Sequence, residues 1–109
     1  MAFDEALAQR VRTILAADAR LTERRMFGGV AFMIGGNMAV GIVRDDLMVR
    51  VGPDGHDAAL AEPHARPMDF AGRPSRGMVY VGPAGTASDA DLERWVRTGV
   101  AFAGSLPAK

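Results

Sequence analysis

Residues 24–51, RRMFGGVAFMIGGNMAVGIVRDDLMVRV, constrain the fold more than any other stretch of this chain. Apolar side chains recur there at every second position, the period of a strand that buries one face. Val30, Phe32 and Ile34 fall on one side, Ala31 and Met33 on the other. Met38, Val40 and Ile42 alternate with Ala39, Gly41 and Val43, and Leu47, Val49 and Val51 alternate with Met48 and Arg50. Gly35-Gly36-Asn37 supplies the positive φ values of a tight hairpin, and Arg44-Asp45-Asp46 supplies a second turn. Turns this short join antiparallel neighbours, so three strands are expected as a meander. The small residues Ala31, Ala39 and Gly41 mark where a helix backbone is expected to approach closely.

Helical periodicity brackets this block. Phe3, Leu7, Val11, Ile14 and Leu15 step by three and four, with Asp4, Glu5, Arg10 and Arg12 off that face, which predicts an amphipathic helix over about residues 3–18. Near the other end, Leu92, Trp95, Val96, Gly99, Phe102 and Ala103 form a second apolar stripe. It opens at Ser88 as N-cap, with Asp91 three residues on, and closes at Ser105-Leu106-Pro107. Between them, residues 62–77 hold three of the six prolines and resist regular helix. Met68-Asp69-Phe70 and Met78-Val79-Tyr80-Val81 are expected to pair as an edge hairpin around Gly72-Arg73-Pro74. The runs from Val49 and from Val79 both read as strand, Gly-Pro turn and helix start, a likeness that shared turn chemistry explains. The expectation is one α+β domain over residues 1–109: an antiparallel sheet, meander plus edge hairpin, flanked by N- and C-terminal helices.

Composition removes several classes of function. With no cysteine, disulfides, thiolate nucleophiles and Cys-based zinc sites are excluded. The first fifteen residues carry charges throughout, so they read as neither a signal peptide nor a membrane span, and a cytoplasmic address is the expectation. Thirteen basic residues balance thirteen acidic ones, so no bulk charge draws the chain to nucleic acid, and direct nucleic-acid binding is not expected. Of seven methionines, Met26, Met33, Met38 and Met48 fall in the strand block, where core filling is the expected role.

No residue set reads as catalytic. His56, Glu62 and His64 match no metal-ligand spacing, and His64, Asp69 and Ser75 lack the sharp Gly-x-Ser-x-Gly turn of a hydrolase nucleophile. Gly28-Gly29 and Gly35-Gly36 fit neither a dinucleotide fingerprint nor a P-loop, and are expected as bulge and hairpin residues. No catalytic residue, metal or cofactor is therefore assigned. The functional candidates are Arg24, Arg25, Arg50, Arg73 and Arg76. If the strand block and the 72–77 turn lie close together, these form an Arg-rich surface for phosphate or an acidic partner, the alternative function being small-ligand or nucleic-acid binding there; the simpler reading is arginines spaced along solvent faces. Trp95 is expected in the core. A homodimer through an exposed edge strand is compatible with a small apolar sheet.

The order of motifs resembles the N-terminal domain of the TfoX/Sxy family. An opening amphipathic helix leads to Arg25-Met26-Phe27-Gly28-Gly29, then to apolar strands separated by Gly-Asn and Arg-Asp-Asp turns. Phe70-x-Gly72-Arg73-Pro74, Met78-x-Tyr80 and Leu92-x-x-Trp95 follow. The resemblance implies an α+β domain without established catalytic residues. The family's best-known members are positive regulators of competence genes that act with the cyclic-AMP receptor protein and carry a second, helical C-terminal domain. This chain reaches Lys109 just after its last helix, so a stand-alone N-terminal domain is expected. It also implies a small interaction module with an unidentified protein partner. Arg24 through Gly29, with Arg50, Gly72, Arg73 and Arg76, form the candidate interaction surface.

Overall fold

The computed structural model describes residues 3–26, 28–70 and 73–108; the side chains of residues 69, 70 and 73–76 lie outside the description. Helix α1 (Glu5–Leu15) is capped by Asp4, whose side chain accepts a 3.1 Å hydrogen bond from the Leu7 N–H. It is shorter than the periodicity predicts, for two local reasons. Phe3 is bridged to Arg44, and the Asp4 N–H donates to the Arg44 carbonyl at 2.7 Å, so the first residues belong to the end of the sheet. At the other end, Asp18 accepts from the Arg20 N–H at 2.9 Å and from its guanidinium at 3.0 and 2.8 Å, closing a turn that leads out of the helix.

Six strands follow: β1 (Leu21–Met26), β2 (Gly29–Ile34), β3 (Asn37–Val43), β4 (Asp46–Arg50), β5 (Ala65–Phe70) and β6 (Arg73–Val81). They form one antiparallel sheet in the order β1-β2-β3-β4-β6-β5. Helix α2 (His56–Leu60) precedes β5, and a 3-10 turn (Pro83–Gly85) leads to α3 (Asp89–Ser105), where the Ser88 hydroxyl accepts from the Asp91 N–H. The meander is as expected, and an edge hairpin joins it through its second strand, but Val79–Val81 pair with Ala65–Pro67 and not with Met68–Phe70. Strand β1 is an addition to the expected three-strand block; its residues, LTERRM, are exposed or half-buried and carry no apolar alternation. Arg73 and Pro74 stand opposite Phe70 and Asp69 inside the β5–β6 ladder, so they are strand residues and the turn precedes them. At the β2–β3 hairpin Gly35 and Gly36 have φ of 59° and 85°, the paired left-handed conformation that matches strand twist.

The helices pack on one face of the sheet. Register places Val30, Phe32, Val40, Ile42, Leu47, Val49, Val79 and Val81 together on that face. There they form one buried cluster with Leu7, Val11 and Leu15 of α1 and with Leu92, Trp95 and Val96 of α3. Trp95 is 2% exposed, and burial of its side chain with the surrounding aliphatics is the main stabilising term of the fold.

A bulge sets the approach of α3. Between the pairs Phe32↔Val40 and Met33↔Met38, β3 has one residue more than β2, namely Ala39. Ala39 packs with Ile34 and Ala103 in a small second cluster. A Cβ on Gly99 would overlap the Ala39 carbonyl oxygen and lie 2.8 Å from Val40 Cγ1, so the backbones of α3 and β3 meet there. Ala39 is thus where the helix closes in. Alternation puts Ala31 and Gly41 on the opposite face, and there the Met48 Cε methyl lies 2.6 Å from where a Gly41 Cβ would stand. The close-approach expectation holds for one of the three small residues.

Two predictions follow from these contacts. Gly99→Ala adds about 1 kcal/mol of helix propensity, but wedging α3 off β3 costs more, so a net loss of about 1–2 kcal/mol is expected in urea unfolding. A midpoint at or above that of the parent would show that the two backbones do not meet. The second concerns Asp18, whose carboxyl is held down to about 2 by hydrogen bonds from the Arg20 side chain and backbone. A depressed carboxyl stabilises above its unfolded value, here 3.8, and its contribution is lost as pH falls through about 2. A ¹³C titration should find the Asp18 midpoint near 2, moving up toward 3.8 in Arg20→Ala. An unchanged midpoint in that variant would refute the assignment.

Candidate functional site

The Arg-Met-Phe-Gly-Gly element closes the β1–β2 hairpin at one edge of the sheet. Met26 pairs with Gly29, and Gly28 has φ of 72°. Phe27 lies outside the described residues. Arg25 stands opposite Val30 and so faces the helix side, where its guanidinium is 5.1 Å from the Phe3 ring centroid and 4.0 Å from the Glu5 carboxylate. That ion pair is exposed, and pairs of this kind contribute roughly 0–1 kcal/mol. Phe3, Arg25, Met26, Gly28 and Gly29 line a shallow depression of about 340 Å³. Arg24 points to the opposite face, beside Ala31.

The remaining arginines lie elsewhere in the sheet. Arg50 ends β4 opposite Met78 of β6, and Arg73 and Arg76 are residues of β6 whose side chains are outside the description, as is Gly72 altogether. Three strands separate β1 from β6, so at about 4.8 Å per strand the two groups are roughly 19 Å apart along the sheet. The structure therefore brings Arg50 next to the strand of Arg73 and Arg76, and leaves Arg24 and Arg25 at the far edge. The Arg50 guanidinium sits 5.2 Å from the Phe102 ring centroid, in a depression of about 240 Å³ with Gly52, Pro53, Gly77 and Met78.

The face away from the helices is a surface the strand pattern alone did not reveal. Its central row runs Arg24, Ala31, Gly41, Met48, Tyr80 and Arg66 across five strand pairings. Ala31, Gly41 and Met48 are buried in it, whereas Met26, Met33, Met38, Met68 and Tyr80 are half-buried. Arg66 reaches back over Tyr80, 5.0 Å from its centroid, and bonds Asp46 at 2.5 Å. Among the described residues no helix packs on this face. Core filling therefore describes Met48, and Met26, Met33 and Met38 are corrected to a half-exposed surface. Parity marked Met33, which alternates with Val30, Phe32 and Ile34; Met38 shares the parity of Val40 and Ile42, and only the bulge at Ala39 turns it to the other face.

The other candidate chemistry is absorbed by structure. His56 Nδ1 accepts a 2.9 Å hydrogen bond from the Gly77 N–H, Glu62 pairs with Arg94 at 2.8 Å, and His64 occupies a left-handed turn with φ of 69°. The side chains of Asp69 and Ser75 lie outside the description. Among the described residues no three His, Cys, Asp or Glu side chains are grouped to hold a metal. No described helix is long and apolar enough to cross a membrane.

No curated protein and no solved structure matches this chain. A model of the TfoX N-terminal domain matches residues 13–103, from the last turn of α1 to nearly the end of α3, and so spans all six strands. The match covers the Arg-Met-Phe-Gly-Gly hairpin, the meander and the Leu92-x-x-Trp95 helix in the order the fold places them, and the chain belongs to the TfoX N-terminal domain family.

Proposed function

We propose that this domain is a non-catalytic cytoplasmic module that works by protein–protein contact, in transcriptional or competence regulation. The observation that carries the reading is the one-sided sheet. Its second face carries half-buried Met26, Met33, Met38, Met68 and Tyr80 around a row that runs from Arg24 to Arg66 across all six strands. Unbranched thioether side chains adapt to a partner's shape, and arginine and tyrosine are the residues that anchor protein interfaces. Family membership supports the regulatory setting, since the best-known relatives act on competence genes through another protein. The arginines at the two ends of the sheet do not form one basic stripe, which disfavours a nucleic-acid surface. A small-ligand reading is favoured at one place, where Arg50 stacks on Phe102.

Affinity capture from native lysate tests this. The parent chain should retain a discrete partner, and Arg24→Glu combined with Met33→Glu should weaken capture by about tenfold or more. Arg94→Ala, on the helix side, should leave it unchanged. Recovery of nothing beyond the bait, or capture indifferent to the double variant, would overturn the proposal.

A further inference from the structure

Arg50, at the end of β4, differs from the arginines that pair with carboxylates. Arg10, Arg12, Arg20, Arg25, Arg94 and Arg97 each have a carboxylate within 4.0 Å. Among the described residues Arg50 has none, although it is itself half-buried. Its guanidinium is held instead against the ring of Phe102. A guanidinium packed on an aromatic face keeps its N–H donors in the plane of the group, free for an acceptor that approaches edge-on.

The surroundings are shaped and largely apolar. Gly52, with φ of 82°, lets the Phe102 ring pack where a Cβ would stand 2.5 Å from two ring carbons. Gly77, with φ of 92°, lies against Gly52 and Pro53, where a Cβ would meet backbone atoms at 3.1–3.3 Å. The Gly77 carbonyl accepts from the N–H groups of Val51 and Gly52 at 2.8 and 3.1 Å, and the Gly77 N–H is taken by His56. Those three backbone donors are thus spent within the fold, which leaves the Arg50 fork as the polar group that the described residues bring to the depression. Pro53, Met78 and Phe102 supply its apolar wall. The depression, about 240 Å³ and open to solvent, has room for one short ligand chain.

We propose that this depression binds a small carboxylate bearing an apolar tail, the carboxylate bidentate on Arg50 and the tail against Phe102, Pro53 and Met78. Among the described residues the site offers one cation without accompanying backbone donors, which matches a monoanion; a phosphate dianion calls for more donors than these. The apolar wall rewards a tail that a bare anion lacks. The proposal rests on the Arg50–Phe102 depression and not on the Arg24 and Met33 surface of the protein-contact reading, so the two fail separately.

The test is an ¹H–¹⁵N titration of the whole chain with sodium hexanoate, alongside inorganic phosphate and sodium chloride at equal ionic strength. Hexanoate should give saturable shifts at the Arg50 Nε–H and at the Gly52 and Gly77 amides, and neither phosphate nor chloride should. Arg50→Met should weaken hexanoate binding by about tenfold or more, since a hydrogen bond to a charged group is worth about 1.5–3 kcal/mol. Phe102→Leu keeps the cation but removes its platform and should weaken binding severalfold, a second reading if the first variant does not fold. Absence of saturation, equal saturation by phosphate, or binding unchanged in both variants would each overturn the proposal.

Discussion

The fold depends on the contact in which α3 lays its backbone on β3 at Gly99 and Ala39. The contact is possible because two sequence features coincide. A glycine sits at the helix position nearest the sheet, and a one-residue bulge sets Ala39 against α3. Helix and sheet there approach closer than ordinary side chains permit, so Trp95 and Val96 on one side and Ala103 on the other are fixed in depth against the strands. Because interiors are close-packed, this one spacing governs how tightly α1, Leu15 and the central valines can pack around it.

Packing the helices on one face has a consequence for the other. An antiparallel sheet can leave one face without a second layer, and here the uncovered side carries methionines where the covered side carries Val, Ile and Leu. The chemistry follows the geometry: β-branched residues lock into a rigid core, whereas thioether chains keep a surface adaptable. The arginines of the two long helices find acids elsewhere in the fold, Arg12 at Glu23 and Arg94 at Glu62, while Arg50, at the end of β4, meets a ring in place of an acid.

Much of the fold was legible because turn chemistry and alternation agree. Gly35-Gly36 fixed a hairpin, Ser88 fixed a helix start, and the alternating apolar residues of β2, β3 and β4 fixed which side is buried. What escaped was β1, since a strand that is hydrogen-bonded on one edge and solvated on both faces leaves no periodic mark in LTERRM. The length of α1 escaped too, because Phe3 and Asp18 are claimed by a sheet bridge and an arginine, neither of them local helix signals. The candidate site was legible as a set of residues and not as a place: Arg24 and Arg25 stand at one edge, and Arg50 ends a strand on the other side of β3.

By itself, the sequence determined the α+β class, the hairpins, the family and the absence of thiol chemistry, all of which rest on local spacing and residue type. Only the tertiary structure decided which face the helices cover, which of three small residues α3 touches, and that Arg50 packs on a ring. Those depend on strand order and on a single bulge. Both are set by contacts between residues far apart in the chain, which no local period records.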